Sequence, residues 1–210
     1  MTLFVSDLDG TLLDGNAKLK KRALDMLNRL GENGVAFTIA TARGWRGVTQ
    51  KIIKGLKLDY PVITHNGAVI VDPKTGKRLV ANTLTDEQKK HIKNVITEKN
   101  ICAIIHSIVN DEDRISWHIG GENKALKNFL RLKKGDERLR PCESFDDVFD
   151  GEIYYVSMLA PTVEKAELDE AFPPERGFQS LYIADTYNTD EFWYEIFSLS
   201  SNKGNGIDHL

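Results

Sequence analysis

Val5-Ser6-Asp7-Leu8-Asp9-Gly10-Thr11-Leu12-Leu13 is the stretch from which the rest of this sequence is read. It follows directly on Leu3-Phe4-Val5, a short apolar run with an aromatic and a β-branched residue, which predicts a buried strand. Asp7 and Asp9 therefore stand just past the C-terminal end of a strand, the place where open α/β sheets bind their ligands. A spacing of two can aim both carboxylates into one crevice. Gly10 allows a sharp turn that brings backbone N–H groups close to an anion. Two carboxylates alone would repel a phosphate. A divalent cation that prefers oxygen ligands, such as Mg²⁺, offsets that repulsion by bridging carboxylate and phosphoryl oxygens. One carboxylate can then attack phosphorus while the other moves a proton. A calcium loop starting at Asp7 would need Asp or Asn at 11, Gly at 12 and Glu at 18; the chain has Thr11, Leu12 and Lys18.

Working outward, Leu19, Ala23, Leu27 and Leu30 fall on one face of a predicted helix over Lys18–Glu32, with Gly34 as its stop. Val35 to Ala40 predicts a second buried strand ending at Thr41. Trp45, Val48 and Ile52 mark a second amphipathic helix, and Pro61 to Thr64 a third strand. Strand–helix–strand–helix–strand is the signature of a parallel sheet with covering helices. The pattern then changes. Asn66-Gly67 and Asp72-Pro73-Lys74-Thr75-Gly76 are turn signals between short apolar runs and predict hairpins. Thr85-Asp86-Glu87-Gln88 is a capping box that opens a helix to about Asn100. Strands over 101–108, 114–119, 152–159 and 178–184, with helices over 123–133 and 164–171, make a mixed α+β stretch. Phe192 to Phe197 predicts a further core strand and Lys203 a helix start. The predicted organisation is a parallel α/β core over 1–81 and 189–210, interrupted by an inserted α/β domain over 82–188.

Bulk properties bound the function. The 210 residues carry a net charge of −3, with 41% hydrophobic and 28% charged residues. A near-balanced charge predicts no nucleic-acid partner, so any phosphate site is local. No apolar run reaches membrane-spanning length, and the N-terminus is not a signal peptide. Cys102 and Cys142 form neither a disulfide framework nor a zinc site, which fits a cytoplasmic protein. The five histidines share no metal-ligand spacing, and His65 is the one whose position is of interest. Gly204-Asn205-Gly206 has His209 where a dinucleotide fingerprint needs glycine, and no nucleotide-triphosphate loop occurs.

A hydroxyl residue, Thr41, ends the second strand, and Lys203 sits in a Ser-Ser-Asn-Lys-Gly turn after a later one. Taken in order with Asp7, they compose a phosphate site of nucleophile, hydroxyl donor and cationic clamp. At this point a family becomes recognisable. Val5 through Leu13 resembles motif one of the haloacid dehalogenase superfamily. Ile39-Ala40-Thr41-Ala42-Arg43 resembles motif two of its Cof-type branch, and Ile63-Thr64-His65-Asn66-Gly67-Ala68 that branch's N-G-A segment. Glu195-Ile196 through Ser201-Asn202-Lys203-Gly204 resembles motif three. The insert falls between motifs two and three, where this branch carries its large α/β cap.

The resemblance implies a Rossmann-like core and a Mg²⁺-dependent phosphatase of small phosphorylated metabolites, sugar phosphates above all. Asp7 would be the nucleophile that becomes phospho-aspartate, and Asp9 the acid that protonates the leaving alcohol and then activates water. Thr41 and N–H groups near Leu8, Asp9, Gly10 and Ala42 would hold phosphoryl oxygens. Lys203 would neutralise charge, and Arg43 and Asn66 would face the substrate. Mg²⁺ would sit on the Asp7 carboxylate and the Asp9 carbonyl. A phosphosugar mutase and a non-catalytic phospho-ligand-binding protein are the alternatives. The superfamily also places an acidic fourth motif, G-D-x-x-N-D-like, after motif three, whereas the sequence stops seven residues past Lys203. The expectation is weak Mg²⁺ binding, little activity, and self-association through the open flank of Leu3-Phe4-Val5.

Overall fold

In the computed structural model, which describes residues 2–45, 50–184 and 192–210, strand β1 (Leu3–Ser6) runs parallel to β2 (Ala36–Ile39), with Phe4 opposite Phe37. Helix α1 (Lys21–Glu32) makes the crossover between them. Its half-buried residues include Ala23, Leu24 and Leu27, close to the predicted stripe, whereas Leu30 is exposed. The next predicted helix is represented by α2 (Gln50–Ile52); Val48 lies outside the described residues. Strand β3 (Val62–Thr64) continues the parallel arrangement through a bridge between Ala40 and Ile63.

Both predicted hairpins are present. Residues His65–Gly67 turn β3 into the antiparallel β4 (Val69–Val71), and the Asp72–Gly76 turn leads to β5 (Arg78–Ala81). Asp72 builds the second turn by accepting from the Lys74 N–H at 2.8 Å and the Thr75 hydroxyl at 2.9 Å, as short polar side chains do in turns.

The chain forms two compact units, one of Met1–Asn82 with Ser200–Leu210 and one of Thr83–Leu199. The second is built on a six-stranded sheet of order β10-β11-β9-β6-β7-β8. Its elements are α3 (Asp86–Glu98), β6 (Ala103–Val109), β7 (Glu112–His118), α4 (Lys124–Leu132), β8 (Leu139–Cys142), β9 (Glu152–Leu159), α5 (Lys165–Ala171), β10 (Phe178–Ala184) and β11 (Phe192–Ser198). The capping box forms as predicted: Thr85 accepts from the Gln88 N–H while the Gln88 side chain accepts from the Thr85 N–H. All strand pairs in this sheet are antiparallel except β7 with β8. Ile92, Val95 and Ile96 of α3 join Ile105, Val156, Met158 and Ile196 of the sheet in one buried cluster.

One boundary differs from the sequence reading. The expected junction at 188/189 lies outside the described residues, and β11, assigned to the core, is paired on both edges by β10 and β9. A short apolar run reads the same in a parallel core as in an antiparallel sheet; only its partners decide. The second unit therefore extends to Leu199. Helix α6 (Lys203–Ile207) returns the chain to the first unit. Among the described residues no helix is long and apolar enough to cross a membrane.

Candidate active site

Asp7 follows β1 immediately, at the end of the strand where the sequence placed it. Its backbone is extended (φ −71°, ψ 163°), and the chain then coils through Leu8–Leu12. Gly10 enables that coil: at φ 71° it occupies the left-handed region, which carries little cost without a Cβ. The coil closes where the Leu13 N–H donates to the Leu8 carbonyl at 2.9 Å, a wide five-residue step. Wide turns of this kind recur at functional sites. Leu8 is fully buried and anchors the coil.

The Asp7 carboxylate is held from both sides. One oxygen accepts from the Leu8 N–H at 2.7 Å, and the other from the Lys203 ammonium at 2.8 Å, across 196 positions of sequence. The expectation that Leu8 would offer its N–H to phosphate meets a competitor, because that donor is already spent on Asp7. Both side chains stay accessible, Asp7 at 39% and Lys203 at 32%.

Asp9 is clasped by Arg43 in a two-point fork. Nε donates to one carboxylate oxygen at 2.7 Å and Nη2 to the other at 2.6 Å. Paired planar forks are the strongest form of this contact. The Arg43 hydrogen bonds hold the Asp9 carboxyl below its ordinary range, with partial burial opposing and the Arg43 and Lys203 charges assisting. Arg43 is raised reciprocally by Asp9. Arg43, expected on the substrate side, thus has an internal partner.

Thr41 is fully buried. Its N–H donates to the Ile63 carbonyl at 2.9 Å, and its hydroxyl oxygen accepts from the Arg43 N–H at 3.1 Å. That hydroxyl therefore keeps its own hydrogen to give. Ala42, between them, is exposed. Asn66 takes part through its backbone, whose N–H holds the Thr41 carbonyl at 3.0 Å. His65 is buried, with Nδ1 3.1 Å from the Thr64 hydroxyl.

Among the described residues no three His, Cys, Asp or Glu side chains gather as a metal cluster. Asp7 and the Asp9 carbonyl offer hard oxygen donors on one accessible coil, the kind of donor Mg²⁺ takes. They fit that ion in kind and would make up part of its shell, while the Asp9 carboxylate is committed to Arg43.

The family model of haloacid dehalogenase-like hydrolases matches residues 4–210. The chain is 30% identical over 152 residues to the 5-amino-6-(5-phospho-D-ribitylamino)uracil phosphatase YwtE of Bacillus subtilis (strain 168), covering 72% of this chain and 49% of that protein. It thus spans about half the length of that curated relative. Among solved structures, a phosphatase of the haloalkanoate enzyme superfamily from Bacteroides thetaiotaomicron superposes with a TM-score of 0.74 at 16% identity, over 99% of this chain and 70% of that one. A subclass IIB sugar phosphatase superposes at 0.70 with 17% identity, over 99% and 74%. At such identities the structural likeness is one of fold.

Proposed function

We propose, for a chain that belongs to the haloacid dehalogenase-like hydrolase family, that it carries out phosphoric monoester hydrolysis through a phospho-aspartate at Asp7. The carrying observation is the pair of Lys203 and Asp7 at 2.8 Å, at the end of a parallel strand. A carboxylate in that place, beside a fixed cation and a buried hydroxyl with a hydrogen to give, suits attack on a dianionic phosphoryl group.

In the first step an Asp7 oxygen bonds to phosphorus and the ester P–O bond breaks. Asp9, protonated, gives its proton to the departing alcohol oxygen. In the second step water attacks phosphorus, its proton passes to Asp9, and the Asp7–phosphorus bond breaks to release phosphate. Thr41 donates to a phosphoryl oxygen, and Lys203 balances charge on nucleophile and phosphate. While both Asp9 oxygens accept from Arg43, the carboxyl is favoured in its charged form, against its role as the acid. Arg43 therefore has to leave Asp9 during the cycle, and an incoming phosphate ester is a fitting new partner for a guanidinium. Mg²⁺ would be held by the Asp7 carboxylate and Asp9 carbonyl, where it would offset charge between nucleophile and phosphate.

The substrate class is small phosphorylated metabolites, with sugar phosphates first, in keeping with the sugar phosphatase among the structural neighbours. The test is phosphate release from a panel of sugar and other metabolite phosphates, with Mg²⁺ and with a chelator. Slow release that needs Mg²⁺ at high concentration and favours sugar phosphates is expected, in line with the weak metal binding and low activity anticipated from the sequence. Rearranged esters without free phosphate would convert the reading to a mutase, and silence across the panel would overturn it.

A further inference from the structure

We propose that the His65–Gly67 turn, together with Asn82 and Ser201, is the positioning device that fixes Lys203 against Asp7. This rests on the phosphatase reading only for its kinetic consequence.

The turn is costly in backbone terms and is kept nonetheless. Three successive residues, His65, Asn66 and Gly67, have φ of 51°, 57° and 98°. Side-chain-bearing residues avoid that region, and such strain persists only where surrounding structure over-determines it. Two sets of contacts do so here. On one side the turn's N–H groups grip the loop that carries Thr41: His65 donates to the Arg43 carbonyl and Asn66 to the Thr41 carbonyl, each at 3.0 Å. On the other side Gly67 meets the backbone directly before Lys203. A Cβ on Gly67 would lie 2.1 Å from the Asn202 carbonyl oxygen and 2.3 Å from its carbon. No side chain fits that gap, so only glycine permits the approach.

The segment entering α6 is tied down in the same place. The Ser201 hydroxyl donates to the Asn82 carbonyl at 2.6 Å, and Ser201 is fully buried. Asn82 is itself fixed by its N–H to the Ala68 carbonyl at 2.6 Å, just beyond the turn. Asn202 caps the helix whose first residue is Lys203, accepting from the Asn205 N–H at 2.8 Å. Gly206, one turn on, lies against Ile63 of β3 so closely that a Cβ would come within 2.8 Å of it. One turn thus sets Thr41 and Lys203 in a common frame, although 162 positions separate them in sequence (203 − 41).

Two measurements test this, and they fail independently. The first is the rate of amine labelling at Lys203, read by mass spectrometry without any turnover. Gly67→Ala and Ser201→Ala should each label Lys203 several-fold faster than the parent, approaching the rate in Asp7→Asn. Unchanged labelling in both variants overturns the proposal whatever the protein catalyses. The second is kinetic. Ser201→Ala, which removes one hydroxyl and leaves the fold's volume nearly intact, should lower kcat about tenfold with KM steady, and Gly67→Ala about a hundredfold, the usual result of an ångström-scale misplacement. Placed on a Lys203→Ala background, Ser201→Ala should cost nothing further, since both act through one ammonium. Additive losses would show a general packing role and overturn it. A parent without phosphatase activity would defeat the functional reading alone and leave the labelling result to decide this one.

Discussion

Strands of the first unit are three or four residues long, whereas five of the six strands in the second unit's sheet run to seven or eight. The contrast extends to what the strands carry. In the first unit the charged side chains of Asp7, Asp9, Arg43 and Lys203 sit at or beyond element ends and pair with one another. In the second, Ile105, Ile153, Val156, Met158 and Ile196 run along strand interiors and are almost completely buried. Ion pairs there, such as Lys99 with Glu167 and Arg140 with Asp150, are half-exposed to the same degree as those of the first unit but lie apart from one another. Short strands end quickly and offer many polar termini close together, which chemistry needs. Long strands, which stability needs, bury longer apolar rows than the three-residue β3 and β4, which are themselves fully buried. On the proposed reading the two units divide those tasks, and four substitutions can break or sharpen that division.

The largest effect belongs to Asp7→Asn. Removing the proposed nucleophile would close the covalent route, so turnover should fall by about a thousandfold or more, ~4 kcal/mol of transition-state stabilisation. Substrate affinity should hold or improve, because one negative charge beside the phosphate is gone. Steady-state kinetics checks this, and a variant that keeps a tenth of the parental rate would place the nucleophile elsewhere. Ile153→Ala comes next, on the other side of the comparison. Ile153 is completely buried in the second unit's main cluster. Truncation there should cost about 2–5 kcal/mol of stability through lost burial and the cavity left behind. Denaturant unfolding should show it, while turnover measured well below the transition stays near parental. Equal loss of turnover would mean the two units are not separable in function.

A third change probes the edge of the short-stranded unit. Among the described residues β1 is laddered to β2 alone, and Phe4 is 57% exposed. An open edge with an exposed aromatic residue favours association with another chain. Phe4→Lys should reduce concentration-dependent scattering of the purified protein. Identical scattering from both forms would remove β1 as the associating surface.

What was legible in the sequence follows the same division. Local signals were readable wherever one segment determines its own shape. The Thr85–Gln88 box, the Asp72 turn and the Asp7–Gly10 coil depend on neighbours a few residues away, and each forms as read. Asp7 with Lys203 was legible only because two separate motifs had known roles. The Arg43–Asp9 fork was not, since 34 positions separate the partners and no local pattern links them. Nor was the tight seat of Gly67 on Asn202: Asn-Gly signals a turn, but not which backbone will rest against it. The core assignment of β11 went astray for a related reason. Phe192–Ser198 has an apolar run typical of either unit, and its partners β9 and β10 are set by the sheet as a whole. β8 was passed over because Arg140 and Pro141 lower its strand signal; it is tolerated as an edge strand, where a missing N–H does little harm.

Glu195→Gln should have the smallest effect of the four, and it tests whether the second unit carries any strain of the kind the first unit accepts. Glu195 lies in the middle of β11, opposite Ser157 on β9 and Leu181 on β10. Burial pushes its carboxyl above the usual range, and the Ser157 hydroxyl, donating at 3.1 Å, only partly restores the charged form. Tyr155 of the same sheet adds to the picture, since burial first and the Glu195 charge second push its phenol up. The sign follows from proton binding. Between the ordinary carboxylate value of 4.5 and the raised folded value, the folded chain binds more protons than the unfolded one. Stability therefore falls as pH rises through that window and stays lower above it. Glutamine keeps an oxygen for the Ser157 hydroxyl and carries no charge. The variant should match the parent at acidic pH, gain on it as the solution passes through the window, and hold a constant lead at neutral pH and above. Chemical denaturation at pH 4 and pH 8 measures the difference directly. A parent that outlasts the variant at pH 8 would mean that the buried charge has a stabilising partner beyond Ser157.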